Sequence, residues 1–166
     1  YGGGVYVKSG TFTMYGSSSV TSNNANSGGG VYVDASGNFI MKNAASVTGN
    51  TIGYGSTGGA GVYVNGGTFT MNGSSRVATN IVNDSRGTFN GGGVYVLSGG
   101  TFTMNNDASV TDNKASSNYN SILNGAGVYV SGKGSTFTMH DSASVTNNAA
   151  SGYKTGTGDG GGVYVN

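Results

Sequence analysis

The sequence contains no Cys, no Pro, no Trp and no Glu, and only 8% of its 166 residues are charged. The absence of Cys excludes disulfide bonds and thiolate chemistry. No apolar run approaches the ~20 residues of a transmembrane helix, so we predict no membrane span in this segment. The few charges are scattered and sum to +1, which argues against the clustered basic surface of a nucleic-acid-binding protein.

Gly, by contrast, is abundant, with 34 residues against a usual share of about 7%. Clustered Gly is typical of tight turns and is unfavourable within long helices. The low charge alone would be compatible with disorder, but a disordered segment is poor in aromatic and β-branched residues. This chain has 11 Tyr, 6 Phe and regularly placed Val. We therefore expect an ordered chain with a polar surface.

A repeat of three elements runs through the whole sequence. GxGVYV occurs six times, followed five times by TFTM or NFIM and then by a short run around Val, such as ASVT. Each Phe of the second element precedes the Val of the third by eight residues, and an Asn lies three residues beyond that Val. The segment after this Asn varies freely in length, so the period drifts from 26 to 35 residues. The copies of GxGVYV begin at Gly2, Gly28, Gly59, Gly91, Gly125 and Gly160.

These three β-prone runs, separated by Gly, Ser and Asn turns, predict the fold. We expect an all-β protein, a right-handed parallel β-helix (β-solenoid) with three short strands per coil, five full coils and the start of a sixth. The hand follows the general preference of parallel crossover connections. No segment shows the 3.6-residue apolar period of a helical repeat. We assign residues 1–166 to one solenoid segment, and expect a longer array because neither end carries a polar capping repeat.

Alternation along each strand predicts which side chains face inward. Phe and Met of the second element, both Val of VYV and the Val of the third element are expected in the core, whereas Tyr and Thr are expected outside. The Asn that ends each repeat is expected in a left-handed turn conformation, with its amide hydrogen-bonded along the stack. These residues are Asn23, Asn50, Asn80, Asn113 and Asn148.

The repeat resembles those of a known group of surface proteins. GGGVYV followed by FTMN, at 69–72 and 102–105, is similar to the GGA[ILV] and FxxN repeats of chlamydial polymorphic outer-membrane proteins. More broadly, the chain resembles the right-handed parallel β-helices of bacterial autotransporter passengers and adhesins. The resemblance implies a secreted or cell-surface, elongated adhesin or stalk segment.

Catalysis is the alternative that such a fold leaves open, because some β-helices act as polysaccharide lyases or hydrolases. Those reactions need clustered carboxylates. Here the Asp residues occupy different positions in their repeats, and His140 is only a sequence neighbour of Asp141. The GTGDGGG motif at Asp159 is not iterated as calcium-binding nonapeptides are. We predict no catalytic residue, no metal and no cofactor. The Asp residues are Asp34, Asp84, Asp107, Asp112, Asp141 and Asp159.

Two sets of aromatic residues are candidates for ligand binding. The first is a column of outward Tyr, which either stabilises neighbouring coils or binds sugar rings or protein. The second lies in the variable segments, where loops on a rigid support often carry function. The column comprises Tyr6, Tyr32, Tyr63, Tyr95, Tyr129 and Tyr164. The variable segments contribute Tyr54, Phe89, Tyr119 and Tyr153.

Thr residues on either side of the inward Phe form a second candidate surface. Their T-x-T pattern resembles the flat Thr arrays of ice-binding solenoids, although Asn38 and Ile40 interrupt it. Ser and Thr also flank the Val of the third element, with a break at Arg76 and Ala78. The T-x-T residues are Thr11, Thr13, Thr68, Thr70, Thr101, Thr103, Thr136 and Thr138.

The leading hypothesis is a non-catalytic structural and adhesive module of a secreted or cell-surface bacterial protein. Its expected partners are further coils of the same array, end-to-end copies of itself, or host or matrix glycans and proteins. Nucleic acid is not expected as a partner. The alternative is an ice-binding solenoid that uses the Thr-x-Thr face, and a lyase or hydrolase is the third possibility.

Overall fold

The chain folds into an all-β solenoid of parallel strands, as its repeats predict. The computed structural model describes residues 1–166 except 54, 56, 57, 84–87, 118–121 and 152–157. Within the described part of the chain there are 22 strands and no helix. Every strand pair in it is parallel, because each strand lies beside its counterpart from the next repeat.

Each repeat supplies one coil of strands. The first contains β1 (Val5–Met14), β2 (Ser19–Thr21) and β3 (Asn24–Ala25), and the second β4 (Val31–Met41), β5 (Ser46–Thr48) and β6 (Thr51–Ile52). The third contains β7 (Val62–Asn65), β8 (Thr68–Met71), β9 (Arg76–Ala78), β10 (Ile81–Asn83) and β11 (Thr88–Asn90). The fourth contains β12 (Val94–Leu97), β13 (Thr101–Met104), β14 (Ser109–Thr111), β15 (Lys114–Ser116) and β16 (Ile122–Asn124). The fifth contains β17 (Val128–Val130), β18 (Thr136–Met139), β19 (Ser144–Thr146), β20 (Ala149–Ser151) and β21 (Gly158–Asp159), and β22 (Val163–Val165) follows.

Four parallel sheets run along the solenoid. The VYV and TFTM elements share a nine-stranded sheet, because β1 and β4 continue unbroken through both elements. The third element forms a five-stranded sheet, β2-β5-β9-β14-β19. Pairing is in register, Phe on Phe and Val on Val, across the coils. About four turns separate the first Phe-bearing strand from the fifth, close to the predicted number of coils.

The main core has the predicted composition. Phe39, Phe69 and Phe102 are fully buried, and their rings stack with centroids 4.8–4.9 Å apart. The inward Met and Val of the central coils are buried beside them. The first and fifth coils are less covered, and Phe12 is 37% exposed. Each fully buried large side chain contributes roughly 1.5–3 kcal/mol, so a coil is stable only when it is stacked on neighbours.

The structure adds strands to the three predicted in each coil. The segment after the Asn column forms β3, β6, β10, β15 and β20, and β11, β16 and β21 form a further sheet. Their inward side chains build a second core that includes Ile52, Val82 and Leu123. A sequence signal for the first of these sheets exists, since an apolar residue lies two positions after every column Asn. The signal is weak, because these strands have only two or three residues and their composition changes from coil to coil.

The column Asn residues form a continuous ladder of amides. The Asn80 Nδ2 atom donates to Asn113 Oδ1 at 2.9 Å and to the Val47 carbonyl at 3.0 Å. Asn80 Oδ1 accepts from the backbone N–H and the Nδ2 atom of Asn50, both at 3.0 Å. Both amide hydrogens and both carbonyl lone pairs are therefore used. The same pattern links Asn23 to Asn50 and Asn113 to Asn148.

The expected left-handed conformation of the ladder Asn residues is wrong by one position. The residue before each of them has the positive φ, between 54° and 63°. With this turn made one residue earlier, the Asn side chain points inward rather than into solvent. The amide bonding along the stack is confirmed. The positive-φ residues are Ser22, Gly49, Thr79, Asp112 and Asn147.

Two Gly columns of GxGVYV have separate causes. The first Gly has positive φ in all six copies, as at Gly59 with 66°. The third Gly makes room for the amide ladder. At Gly61 a Cβ atom would come within 2.8 Å of both Asn80 Nδ2 and Val77 Cγ1. The position between them is Gly or Ala, and the side chains of Ala60 and Ala126 are buried in the second core.

Replacing a ladder Asn should destabilise the fold strongly. Asn80→Ala leaves the buried donors of Asn50 and the Val47 carbonyl without partners, and we expect a loss of about 3 kcal/mol or more in urea-induced unfolding. Asn24→Ala is the matched control, because exposed Asn24 makes one side-chain hydrogen bond, to Thr51 at 2.7 Å. It should cost about 0.5 kcal/mol. Equal losses in the two variants would contradict the role of the ladder.

The third Gly of the motif offers a steric test of the same packing. Gly61→Ala should lower the midpoint of thermal unfolding by several degrees or more, because its Cβ atom overlaps Asn80 and Val77. Gly53→Ala, at the end of the preceding coil, is the control, since a Cβ atom there meets nothing within 4 Å. That variant should leave the midpoint unchanged or slightly raised. An unchanged midpoint in Gly61→Ala would contradict this steric role, because it would show that Asn80 and Val77 can move aside for the added methyl group.

Candidate functional site

The Tyr column lies outside the main core but is largely buried. Tyr32, Tyr63, Tyr95 and Tyr129 are each at most 9% exposed. Their rings pack in a row, with neighbouring centroids 4.9–5.0 Å apart. Tyr32 and Tyr63 are stacked, whereas Tyr95 meets both Tyr63 and Tyr129 edge to face. Gly58 packs on the column, and a Cβ atom at this residue would lie 2.8 Å from Tyr95 Cδ1. The column is therefore a third apolar cluster of the fold.

This burial corrects the prediction of an exposed Tyr column. Contact with equivalent rings and with the preceding turn removes the central four rings from solvent. Tyr6, in the first coil, is 45% exposed, and its hydroxyl donates to Asp34 Oδ2 at 3.0 Å. Tyr164, in the last strand, is partly exposed. Only these two members of the column present substantial ring surface to a ligand.

The variable segments give a similar result where the structure describes them. Phe89 is 1% exposed and packs in the second core, so it is not available to a ligand. It lies on β11, where its neighbour in the next coil is the buried Leu123. The sequence did not predict this strand, because Phe89 lies in the variable segment, which has no repeated spacing. Tyr54, Tyr119 and Tyr153 lie outside the described residues.

Burial also changes the acidity of the column. Desolvation raises the pKa of Tyr32 to about 12, and a hydrogen bond with Asn65 partly opposes it. Desolvation likewise raises the pKa of Tyr95 to about 12, against a hydrogen bond with Asn90. At Tyr6 the hydrogen bond to Asp34 is the main cause of a raised pKa. The raised pKa values keep Tyr6, Tyr32 and Tyr95 neutral at physiological pH.

The Thr-x-Thr residues form two straight outward columns. Thr68 pairs with Thr101, and Thr70 with Thr103, in exact register, and all are at least partly exposed. Adjacent columns are about 6.6 Å apart along a strand, and successive coils about 4.8 Å apart. Asn38 and Ile40 replace Thr in the second coil. The result is a regular array of outward hydroxyls with one interruption.

The face formed by the third element contains a groove. It has a volume of about 370 Å³ and is lined by Thr48, Arg76, Ala78, Thr79, Thr111 and Asp112. Ala78 lies between Thr48 and Thr111 in adjacent strands, so the missing hydroxyl and methyl groups leave a gap. Arg76, two residues earlier on the same strand, points to the same side. The break noted in the Ser/Thr pattern is thus the position of the groove.

The groove also differs from the rest of this face in its backbone strain and in its side-chain hydrogen bonds. Thr79 has a φ of 54°, a conformation that costs a β-branched residue on the order of 1–3 kcal/mol. Its hydroxyl donates to the Ala78 carbonyl at 2.7 Å. On the opposite wall, the Thr111 hydroxyl donates to Asp112 Oδ2 at 3.0 Å. Within the described part of the chain, the Arg76 guanidinium has no ion pair or hydrogen bond.

Groups for general acid–base or metal chemistry are dispersed. In the described ranges, no three His or Asp side chains lie close enough to hold a metal ion. His140 is exposed on the turn after β18, and its neighbour Asp141 accepts a hydrogen bond from the Asn106 backbone N–H at 2.9 Å. Among the described residues there is also no helix capable of crossing a membrane.

Comparison with known proteins leaves the site to be interpreted from its geometry. No family model, no curated protein and no solved structure matches the chain.

Tyr32 and Tyr95 should titrate late. Unfolded Tyr loses its proton near pH 10, whereas Tyr32 and Tyr95 do so near pH 12 in the folded chain. The folded state therefore binds more protons between these values, and its stability should fall as the pH rises from about 10 to 12.

Absorbance at about 295 nm, with thermal unfolding across the same pH range, measures this behaviour. Tyr95→Phe should reduce the late phenolate step and flatten the dependence of stability on pH. Tyr15→Phe, which removes a phenol outside the column, should leave the late step unchanged. A single titration step near pH 10 in the folded wild-type chain would contradict the burial of the column.

Proposed function

We propose that this chain is a structural and adhesive β-solenoid module of a secreted or cell-surface bacterial protein, without catalytic activity. The observation that supports it best is the pairing of equivalent residues from coil to coil, in register apart from an irregularity between Val7 and Ser9. Phe stacks on Phe, Tyr packs against Tyr and Asn bonds to Asn from one coil to the next. A fold of this kind extends by about 4.8 Å for each added coil and keeps its surface chemistry constant.

Rigidity and an exposed polar surface suit such a module. Three aromatic or aliphatic clusters and the amide ladder fix each coil to its neighbours. The faces left to solvent carry mainly hydroxyl and amide side chains, which hydrogen-bond sugars and peptides without a large apolar patch. In this proposal, the described surfaces that contact a partner are the Thr face and the groove face, with Tyr6 and Tyr164 at the ends of the column.

The partners we propose are further coils of the same array, end-to-end copies, and glycans or proteins of a host or matrix. The likeness of GGGVYV and FTMN to the repeats of chlamydial polymorphic outer-membrane proteins and autotransporter passengers supports a surface location. The even distribution of the few charges, which sum to +1, supports neutral or weakly charged partners over nucleic acid.

Ice binding is the second candidate, and the in-register Thr columns favour it. Regular hydroxyl and methyl groups on a flat, rigid face can order water in a lattice. The interruption by Asn38 and Ile40 shortens the uniform area to three successive coils, Thr68 to Thr136. A lyase or hydrolase remains the least favoured alternative, because the described carboxylates lie at different positions of their coils.

One set of measurements separates these functions. The chain is applied to arrays of glycans and matrix proteins, its thermal hysteresis is measured at micromolar concentration, and acidic polysaccharides are assayed for unsaturated products. We expect saturable binding on the arrays, no hysteresis and no product. Thr103→Tyr, in the Thr face, is compared with Ser142→Tyr, on an exposed turn outside it.

The outcomes are distinct. Ice shaping that is lost in Thr103→Tyr and kept in Ser142→Tyr would replace the adhesive proposal with the ice-binding one. Release of unsaturated sugar would show an enzyme. Absence of binding to every glycan and matrix protein would also overturn the adhesive proposal.

A further inference from the structure

The groove on the third-element face is where the repeat changes most. The two outward positions of this strand hold Ser and Thr in each of the other four coils, but Arg76 and Ala78 in the third. The next residue, Thr79, is the one β-branched residue in the positive-φ column. The three residues that differ from the repeat, Arg76, Ala78 and Thr79, therefore all line the groove.

We infer that this groove binds a carboxylate-bearing sugar, a uronic-acid residue of an acidic glycan. This inference names a ligand class for the proposed adhesive function and rests on that function. The Arg76 guanidinium can pair with a carboxylate through two parallel hydrogen bonds. Within the described part of the chain it has no competing partner. Its exposed position at the groove edge leaves it accessible from solvent.

The rest of the lining fits the hydroxyl groups of the sugar. Thr48 and Thr111 border the gap above Ala78. The Thr48 hydroxyl can donate and accept, whereas the Thr111 hydroxyl, which donates to Asp112 and accepts from Thr146 at 3.3 Å, has one lone pair left to accept a sugar O–H. Asp112, already bonded to the Thr111 hydroxyl at 3.0 Å, has a second oxygen available as an acceptor for a sugar O–H. Ala78, only 7% exposed, forms a small apolar floor.

The net charge and the volume of the groove restrict the class of ligand further. Arg76 and Asp112 together make the groove nearly neutral, which suits a singly charged carboxylate beside hydroxyls better than a dianionic phosphate. A volume of about 370 Å³ lies at the small end of ligand sites. Because the groove is shallow and open, it suits one sugar residue within a longer chain.

Isothermal titration at low ionic strength tests this inference with a defined probe, the tetrasaccharide of α-1,4-linked galacturonate. The comparison ligand is the same tetrasaccharide with its carboxyl groups reduced to alcohols. We expect the acidic tetrasaccharide to bind at least about tenfold more tightly than the reduced one, the difference that one charge-assisted pair provides.

Variants that restore the repeat locate the site. Arg76→Ser and Ala78→Thr reproduce the residues of adjacent coils, so both should fold. Each should weaken binding of the acidic tetrasaccharide at least about tenfold, the first by removing the guanidinium and the second by filling the gap. Lys133→Ser removes a cation from an exposed turn elsewhere and should leave affinity unchanged.

Unchanged affinity in Arg76→Ser, or equal binding of the two tetrasaccharides, would overturn the inference. If the wild-type chain shows no binding of the acidic tetrasaccharide but still binds other glycans or proteins on the arrays, the inference fails and the adhesive function stands. If it binds nothing in either experiment, both fail.

Discussion

In-register stacking of equivalent residues is the constraint on which this structure depends. Each side chain in a coil packs about 4.8 Å from its counterpart in the next, so a residue type is retained where it packs well against itself. Aromatic rings and aliphatic chains meet this condition. An Asn amide also does, because it carries donors and acceptors that bond head to tail. Repeated charges would lie beside like charges, which accounts for the low charged fraction and the scattered Asp and Lys.

The same constraint determines where the coils can differ. Length varies most after the amide ladder and the short strand that follows it, where a second core closes each coil. The turn between VYV and the Phe strand varies by at most two residues. GxGVYV returns the chain to register, because its first Gly turns with positive φ and its third leaves space for the ladder amide. Insertions of different length therefore leave the main core and the outer faces intact.

Function is expected where stacking stops being uniform. The Tyr column illustrates the opposite case, because each buried ring packs against its counterparts, face to face or edge to face, and leaves little surface for a partner. At Arg76 and Ala78 the Ser/Thr pattern breaks, a groove opens, and a strained Thr79 adjoins it. A regular framework with one local departure allows a specific contact to be added without loss of the fold. The three apolar clusters provide the rigidity that such a contact needs.

The sequence by itself determined the repeat, the parallel β-solenoid and the inward Phe, Met and Val, because alternation and spacing are properties of local chain geometry. It also indicated bonded Asn amides, but placed the left-handed turn one residue late. Only the tertiary structure decided that Tyr32 to Tyr129 and Phe89 are buried, since their cover comes from neighbouring coils and turns rather than from adjacent residues. It also decided that the break at Arg76 and Ala78 is a groove, because a gap exists only when the flanking Thr48 and Thr111 are brought beside it.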